Sequence, residues 1–430
     1  MKYKYSRFNI IKQHDEYQVL YNSYSKASIV FDKEYDLSFV DNDSMIQELS
    51  NDILSEFINN GIIIDDSRDE VGELRYGFLK KYFDKSRLTV GLIPTLNCNF
   101  SCPYCCEKPF NCGTENVKNY FEVLKKFSEK TFTEYKYINI NLFGGEPLLY
   151  FEHASKYLTW LDKLSHRDNF KYTVSMITNG SLIDEDKLDF FLKHNINLIQ
   201  ITIDSDKENH DKMRIFKNGS PSFDILIKNI ELVAKKIMNK RVLFVVRINL
   251  NNTSVKKVKE SLSNIDSHLR NNISLMFRVI YNTQTYVEKN TNKIDHLEEY
   301  IRMGKELGFN IYDESYVLQT CEAATDMRSF YLLPNLKLSK CANELGHPSC
   351  WFGELMEDGT PKLYTDNLVK WFETNYEVFN NKKCLNCKLL PDCLGGCPLY
   401  KIKNKKRSCR SFDMVSLPNY YGVFDDITKE

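Results

Sequence analysis

Residues 95–105, which we call the cysteine loop, read Thr95-Leu-Asn-Cys98-Asn-Phe-Ser-Cys102-Pro-Tyr-Cys105. Its cysteines are spaced C-x3-C-x2-C and follow a largely apolar run, residues 88–96, which predicts a short strand. Three thiolates on a four-iron cluster leave one iron open to a small molecule, which is typical of a catalytic site. A zinc loop is the alternative, but zinc sites usually pair C-x2-C elements and fill all four positions.

The spacing, with an aromatic residue before the last cysteine, resembles the signature of the radical S-adenosylmethionine (radical SAM) enzymes. The resemblance implies that Cys98, Cys102 and Cys105 bind a [4Fe-4S] cluster and that Tyr104 lies at the bound SAM. In that family the open iron chelates SAM. Electron transfer from the cluster then cleaves SAM to methionine and a 5′-deoxyadenosyl radical, which abstracts a hydrogen from the substrate.

Length and composition indicate an ordinary globular protein. The 430 residues, 42% of them hydrophobic, predict two to three domains. Lys+Arg and Asp+Glu balance at 58 each, so nothing argues for a nucleic-acid or membrane partner. No apolar signal-peptide region follows the charged start, and no window approaches the ~20 apolar residues of a membrane span, which predicts a cytoplasmic protein. In a reduced compartment, 13 cysteines indicate metal or cluster ligation rather than disulfides.

Residues 1–85 are predicted to form a small winged-helix-like domain. Residues 17–32 predict two strands joined at Asn22 to Lys26, and residues 44–59 predict a helix with Ser44 and Gln47 as a capping box. This order resembles the leader-recognition (RRE/PqqD-like) domains of peptide-modifying radical SAM enzymes, which hold a leader peptide as an added strand. A plain packing extension of the core domain is the alternative.

Strand and helix patterns alternate through residues 86–310. About six such units argue for parallel strands with right-handed crossovers, hence an α/β fold. That number agrees with the partial (β/α)6 TIM barrel of the radical SAM family. Catalytic residues of such barrels sit at the carboxyl ends of the strands.

Polar residues follow several predicted strands at those ends. Gly144-Gly145-Glu146-Pro147 matches the family's GGEP motif, which resembles a clamp on the amino group of SAM. The resemblance also puts Ser175, Asn179 and Asp204 near the ribose or the bound SAM, and Arg247 near its carboxylate. Each of them can instead be a turn former or a salt-bridge partner. The predicted SAM contacts are Tyr104, Gly144, Gly145, Glu146, Ser175, Asn179, Asp204 and Arg247.

The last quarter of the chain holds a second group of cysteines. The run from Cys384 to Cys397 is spaced C-x2-C-x5-C-x3-C, and it resembles the SPASM domain, predicted here for residues 311–430. A zinc ribbon is the alternative. The resemblance implies a distal auxiliary [4Fe-4S] cluster bound by Cys384, Cys387, Cys393 and Cys409. It implies a proximal one bound by Cys321, Cys341 and Cys397, with either Cys350 or an open position as fourth ligand.

Three other features depart from the motifs or are not absorbed by them. Cys106 and Cys112 match no ligand position of either pattern. Leu336 stands where relatives carry a glycine before Cys341, so we expect the turn to form through Asn335 instead. The basic run 401–407 predicts a solvated face or a contact for an acidic peptide.

The leading interpretation is a radical SAM oxidoreductase that matures a ribosomally made precursor peptide (RiPP) carrying a leader. Auxiliary clusters can remove an electron, which favours an oxidative thioether or carbon–carbon cross-link, with flavodoxin or ferredoxin as electron donor. The general base is not assigned.

Two alternatives stay open. An anaerobic sulfatase-maturating enzyme forms formylglycine, but its family has an acidic residue after the second proximal cysteine, where this chain has Ala342 and its nearest acid is Glu344. An iron–sulfur electron carrier needs neither a GGEP motif nor a barrel.

Overall fold

The computed structural model describes residues 2–13, 17–40, 42–105, 107, 115–250, 253–279, 297–312, 321–407 and 409. The chain packs into two compact units. The terminal unit comprises Met1–Asp84, Asp313–Met327 and Val369–Glu430, and the sheet unit comprises Lys85–Tyr312 and Arg328–Leu368. Among the described residues, no helix combines the length and the apolar character needed to cross a membrane.

The described part of the terminal unit contains two small antiparallel sheets. One has the order β2-β3-β4 and the other pairs β1 with β5. The predicted hairpin is confirmed, with Tyr17 opposite Asp32 and the turn at Asn22 to Lys26. The strands are β1 (Tyr3–Tyr5), β2 (Asn9–Gln13), β3 (Tyr17–Asn22), β4 (Ser28–Asp32) and β5 (Ile63–Asp65). The α-helices are Asn51–Asn59, Glu70–Tyr82, Glu322–Thr325, Lys382–Leu385, Leu390–Cys393 and Pro398–Asn404.

The predicted start of the first helix is wrong. A 3-10 helix, Asp43–Glu48, occupies the predicted first turns, and Leu49 then takes an extended conformation. The α-helix begins after Ser50, whose side chain accepts a hydrogen bond from the Ile53 amide. Ser50 therefore caps the helix, because its hydroxyl satisfies one of the amides that the first turn leaves without a partner.

The terminal unit has an apolar core that draws on both ends of the chain. Phe8, Phe78 and Tyr82 pack with Phe379 and Leu390, and all five side chains are buried. Residues predicted to lie in separate N-terminal and C-terminal domains thus share one core. The winged-helix and SPASM interpretations stay predictions.

The sheet unit is built on one sheet with the order β12-β11-β10-β9-β8-β7-β6-β13-β14-β15-β16. Strands β6 to β12 and β13 run parallel, while β14 to β16 add antiparallel pairs. The strands are β6 (Arg87–Leu92), β7 (Tyr137–Leu142), β8 (Lys171–Thr178), β9 (Ile196–Asp204), β10 (Leu243–Leu250), β11 (Ser274–Val279), β12 (Asn310–Ile311), β13 (Ser329–Leu332), β14 (Lys337–Ser339), β15 (Trp351–Leu355) and β16 (Pro361–Leu363). The predicted α/β class with a mostly parallel sheet is confirmed.

Helices connect the parallel strands. They are Val117–Thr131, Phe151–Asp168, Glu185–Lys193, Lys207–Met213, Phe223–Lys236, Val255–Leu262 and Leu297–Glu306, and the helix Thr365–Tyr376 contributes residues to both units. On β7, Ile138 and Ile140 are fully buried while Asn139 and Asn141 are only half-buried. This alternation gives the sheet one apolar face and one polar face.

The turn before Cys341 differs from the prediction. Leu336 itself adopts the left-handed conformation that favours glycine, with φ 63°. The Leu333 amide donates to the Lys337 carbonyl at 2.9 Å, which closes a three-residue hairpin loop. Asn335 supports the turn by accepting a hydrogen bond from the Lys337 amide at 3.3 Å.

Ser50→Ala should raise the hydrogen-exchange rates of the helix Asn51–Asn59 about fivefold, because loss of a serine cap costs about 1 kcal/mol. Ser44→Ala is the matched control. Among the described residues, the exposed Ser44 hydroxyl bonds to the Asn42 side chain, and the exchange rates of the helix in this variant should stay within about twofold of wild type. Equal effects of the two substitutions would contradict the assignment of the cap.

Candidate active site

The cysteine loop follows β6, and the GGEP motif, residues 144–147, follows the neighbouring strand β7. The motif packs directly against the cysteine loop. The Glu146 amide donates to the Asn97 carbonyl at 2.9 Å. A β-carbon on Gly145 would lie 2.3 Å from that same oxygen, and one on Gly144, which has φ 123°, would lie 2.6 Å from the Thr95 carbonyl. The sequence suggested that these glycines admit a ligand, whereas the atoms that they approach here belong to the cysteine loop.

The Glu146 carboxylate ties this assembly to the end of β8. It is fully buried and accepts hydrogen bonds from the Thr178 hydroxyl at 2.7 Å and the backbone amides of Asn179 and Leu148 at 2.7 and 3.0 Å. Burial raises the pKa of Glu146, and these donors oppose the rise. The backbone amide and the side chain of one residue, Glu146, therefore join three segments at the strand ends.

Asn179 carries the connection back to the first cysteine. Its side-chain amide nitrogen donates to the Asn99 side chain at 2.7 Å and lies 3.5 Å from the Cys98 sulfur. The same sulfur also accepts from the Phe100 backbone amide at 3.4 Å. Burial raises the pKa of the Cys98 thiol to about 11. Two N–H donors directed at this sulfur suit a thiolate that binds a metal.

A buried polar cluster fixes the other end of the cysteine loop. The Tyr104 hydroxyl donates to Asp204 at 2.7 Å and accepts from the side chains of Arg214 and Asn249 at 3.1 and 3.3 Å. Asn249 also donates to Asp204 at 3.0 Å. Burial raises the pKa of Asp204, and the neighbouring Arg214 cation opposes that shift.

His210 and Ser222 hold the backbone around this cluster. The His210 Nδ1 accepts from the Asp204 amide at 3.1 Å, so its Nε2 carries the proton and donates to the Ser222 hydroxyl at 2.9 Å. The Ser222 hydroxyl donates in turn to the Arg214 carbonyl. Burial lowers the pKa of His210, which keeps the ring neutral and gives it a structural role.

The segment after Arg214 pairs with the cysteine loop as a strand would. The Ser101 amide donates to the Ile215 carbonyl, and the Lys217 amide donates to the Asn99 carbonyl, both at 2.9 Å. The loop is thus bound along one side by backbone hydrogen bonds.

Two other predicted SAM contacts lie on the polar face of the sheet. The Ser175 hydroxyl on β8 donates to the Asn141 side chain at 2.5 Å, and Arg247 on β10 donates to the Asn249 side chain at 2.9 Å. Arg247 thereby orients the amide that contacts Tyr104. Contact of either residue with SAM stays a prediction.

Two acidic residues near the loop belong to no spacing pattern, and the sequence analysis missed them. Glu115 accepts from the Leu96 amide at 2.7 Å and from the Thr95 hydroxyl, and so shapes the loop. Glu107 is 7% exposed, and one of its carboxylate oxygens has no hydrogen-bond partner among the described residues. Burial, with the charges of Glu146 and Glu115, raises the pKa of Glu107 to about 8.

The sheet unit also holds two of the predicted proximal ligands, and they touch. A hydrogen bond from the Cys350 thiol lowers the pKa of Cys341 to about 7. Burial opposes this effect, and the amides of Asn343 and Glu344 reinforce it. Cys350 is fully buried. Cys321 and Cys397, the other predicted proximal ligands, belong to the terminal unit.

The terminal unit brings the four predicted distal ligands close enough for their charges to interact. Burial raises the pKa of Cys384, and the Arg407 cation opposes this rise. The charges of Cys393, Cys409 and Cys387 raise the same pKa further. Within the described ranges, no three His, Cys, Asp or Glu side chains converge on one metal ion. The thiolates of a [4Fe-4S] cluster bind different irons, so they need no common centre. Cys106 and Cys112 lie outside the described residues.

Comparison with known proteins decides the family of the central region. Residues 92–262 match the model of the radical SAM superfamily. This region is a radical SAM domain. The chain is 25% identical to the radical SAM cyclopropyl synthase TigE of Paramaledivibacter caminithermalis, over 89% of this chain and 82% of that protein. It is 26% identical to a cysteine-type anaerobic sulfatase-maturating enzyme of Clostridium novyi, over 72% and 87% of the two chains.

Solved structures show the same fold. Native anSMEcpe with bound AdoMet matches with a TM-score of 0.58 at 18% identity, over 80% of this chain and 98% of that one. Streptococcus suis SuiB bound to S-adenosylmethionine matches with a TM-score of 0.50 at 18% identity, over 94% and 97%. The relatives of this radical SAM domain thus include a cyclopropyl synthase and a sulfatase-maturating enzyme.

The donors of the radical SAM domain fit a cluster that carries a zwitterionic ligand. In addition to the three loop thiols, the domain offers one Glu107 oxygen and the Arg214 Nε, both buried without hydrogen-bond partners in the described part of the chain. Glu107 lies near enough to Glu146, and Arg214 near enough to Cys102, for their charges to interact. Buried unpaired polar atoms of both signs are what an amino-acid ligand would satisfy.

Gly145→Ala should lower the free energy of unfolding of the radical SAM domain by about 1–3 kcal/mol, since a methyl group must push the GGEP backbone off the cysteine loop. Bound iron should fall with it. Chemical unfolding and iron analysis measure the two effects. Gly77→Ala is the control, because its β-carbon meets no atom within 4 Å and should stabilise its helix by about 0.5–1 kcal/mol. An unchanged Gly145→Ala variant would refute the close approach.

In the iron-free protein, alkylation of Cys341 should rise with pH around a midpoint of about 7, because only the thiolate reacts. Cys350→Ala removes the donor and should move that midpoint up towards the ordinary thiol value of about 8.5. Cys98, with its pKa raised to about 11, is the internal control and should react only at higher pH. A midpoint independent of Cys350 would disprove the contact between the two thiols.

Proposed function

We propose that the protein is a radical SAM maturase that installs an oxidative cross-link, a thioether or carbon–carbon bond, in a ribosomally made precursor peptide. The observation that carries the proposal is the convergence of the cysteine loop, the GGEP motif and Asn179 at neighbouring strand ends of the radical SAM domain. The similarity to TigE supports it as well, because it extends over 89% of the chain and so reaches beyond residues 92–262.

Cys98, Cys102 and Cys105 would hold the first cluster. When bound, the cluster and SAM supply reductive cleavage of a sulfur–carbon bond and hydrogen abstraction from an unactivated carbon. The backbone of Gly144 and Gly145, with Glu146, would hold the amino group of SAM, and Arg247 its carboxylate. Ser175, Asn179 and Asp204 would lie near its ribose.

Tyr104 has a positioning role in this scheme. Its hydroxyl is held by Asp204, Arg214 and Asn249, so the ring next to Cys105 has little freedom to move. Those partners are buried, which keeps water away from one side of the loop. A rigid, dry loop favours hydrogen abstraction from the peptide over side reactions with solvent.

The remaining cysteines suit an oxidative outcome. Cys384, Cys387, Cys393 and Cys409 would hold the distal cluster, while Cys321, Cys341, Cys397 and Cys350 would hold the proximal one. Forming a thioether removes two hydrogens from the peptide, one as a hydrogen atom from carbon and one as the thiol proton, and the remaining electron needs an acceptor. Auxiliary clusters supply one, and a flavodoxin or ferredoxin would exchange electrons with the protein.

The N-terminal sheet would recruit the peptide. Within the described residues, its three strands end on β2 and β4, and a leader segment would add to one of these edges as a further strand. The half-buried Ile29, Val30 and Phe31 of β4 offer apolar contacts to such a strand. We expect neither nucleic acid nor a membrane as partner, and a cytoplasmic location.

Formylglycine formation is the second candidate, because a relative from Clostridium novyi is a sulfatase-maturating enzyme. Ala342 counts against it, since that family has an acidic base after the second proximal cysteine. The two candidates differ in product. Formylglycine formation from cysteine removes the sulfur, whereas a thioether retains it and lowers the peptide mass by two hydrogens.

The reduced, anaerobically reconstituted protein should form 5′-deoxyadenosine from SAM, as measured by chromatography. Replacing Cys98, Cys102 and Cys105 together by Ala should abolish that product while the iron of the other sites stays bound. Cys387→Ala is the contrasting variant, which should lose iron yet keep some cleavage of SAM. If the wild-type protein yields no 5′-deoxyadenosine, the radical SAM assignment of its activity is wrong.

The substrate class is tested with a candidate precursor peptide encoded beside the gene and with a sulfatase-derived peptide. Mass spectrometry should find the loss of two hydrogens in the precursor and no change in the sulfatase peptide. Loss of sulfur from the sulfatase peptide would favour the second candidate instead.

A further inference from the structure

We infer that side chains of the N-terminal sheet are positioning residues for the distal cysteine site, so that this site is built by both ends of the chain. The inference rests on the proposed function for the identity of the ligand, an iron–sulfur cluster. It concerns the distal loop, residues 384–393, and the strands β2 and β3 with their flanking turns. All of these belong to the terminal unit.

Two carbonyl groups of the distal loop accept hydrogen bonds from the N-terminal region. Arg7 donates to the Leu385 carbonyl, and the Ser23 hydroxyl donates to the Lys388 carbonyl. Leu385 directly follows Cys384, and Lys388 directly follows Cys387. The peptide groups next to two of the predicted ligands are therefore fixed by residues more than 360 positions earlier in the chain.

The third predicted ligand is fixed through a buried charge. Asp392, which directly precedes Cys393, is 1% exposed. Its carboxylate accepts from the Tyr21 hydroxyl at 3.0 Å and pairs with the Lys26 ammonium. A buried carboxylate without a partner is strongly destabilising, so this pair must form for the loop to keep its conformation.

An apolar floor lies under these polar contacts. Phe8 and Phe379 pack with Leu390, which lies between two of the predicted ligands. Cys384 and Leu385 pack against the same group of apolar side chains. Each of three ligands thus has a chain neighbour held by the N-terminal region. The same core holds the loop that carries them.

This arrangement couples the N-terminal sheet to the metal. A metal site absent from the unfolded chain gains its binding free energy together with folding, so the cluster and the sheet must stabilise each other. Residues that orient metal ligands typically change metal affinity 10–100-fold when they are replaced. Because such coupling is reciprocal, an event on the sheet, such as addition of a peptide strand, changes the binding free energy of the cluster.

The first test measures iron release from the full-length reconstituted protein to a chelator. The combined substitution Tyr21→Phe and Lys26→Met should speed the release of about four irons, those of the distal cluster, by about 10–100-fold. The irons of the other clusters should leave at the wild-type rate. Tyr35→Phe and Lys80→Met are the matched controls, because they make the same chemical changes elsewhere in the terminal unit and should have no effect.

The second test is reciprocal. Cys387→Ala should raise hydrogen exchange in residues 17–32 about tenfold or more, whereas Cys105→Ala, which removes the first cluster, should leave that exchange unchanged.

For the iron-release test, Ser23→Ala provides a milder variant in case the combined substitution does not fold. It removes one hydroxyl group and should accelerate release of the same irons by a smaller factor.

The outcomes separate this inference from the proposed function. If Cys387→Ala loses no iron, the distal cluster itself is absent and the proposed function is wrong on that point. If Cys387→Ala loses iron, but neither the combined substitution nor Ser23→Ala changes its release, the coupling is refuted and the distal cluster stands. Faster iron release from the combined substitution and from Ser23→Ala, with wild-type release from the Tyr35→Phe and Lys80→Met controls, establishes the coupling.

Discussion

The Asn97 carbonyl oxygen lies 2.3 Å from where a β-carbon on residue 145 would stand, and this close approach of two backbones organises the candidate active site. Adjacent parallel strands bring their carboxyl ends to one edge, so the loops after β6 and β7 emerge side by side. Glycine lets them touch, and Glu146 extends the assembly to the end of β8. The three segments are thus aligned by contacts within the protein itself, which is the preorganisation that a catalytic site needs.

The buried network around Tyr104 adds a second constraint. Asp204 and Arg214 are charged groups at 0% and 8% exposure, and burying such charges is costly unless they are paired and hydrogen-bonded. The Tyr104 hydroxyl bonds to both of them, so a change in the loop conformation would leave two buried charges under-satisfied. We infer that the network contributes specificity of loop conformation more than net stability, which agrees with the neutral, structural His210 beside it.

Much of the sheet unit was predictable because its signals are local. Alternating apolar positions marked the strands, and polar residues directly after them marked the strand ends. The failures have physical causes. Ser44 and Ser50 both suit a cap, and only the extended conformation of Leu49 selects Ser50. Leu336 accepts the left-handed conformation because the hydrogen bonds of its hairpin impose it, which no propensity predicts.

The contacts of Glu115 with the cysteine loop could not be predicted for a related reason. They connect two irregular segments, and neither segment has a periodicity that would reveal its partner. The shared core of the terminal unit was hidden in the same way. Phe8 and Leu390 are brought together by packing alone, across most of the length of the chain.

That long-range core sets the order in which the terminal unit can assemble. Phe8, Phe78 and Tyr82 are almost fully buried, and their partners Phe379 and Leu390 lie far along the chain from them. Contacts of such high sequence separation form late, because the chain entropy lost in closing the loop must be offset by packing. Leu390 also lies between Cys387 and Cys393, so the core and the distal thiols are completed at the same stage. Folding of the N-terminal region and formation of the loop that carries the proposed distal ligands are therefore best understood as one event, to which both regions of the chain contribute.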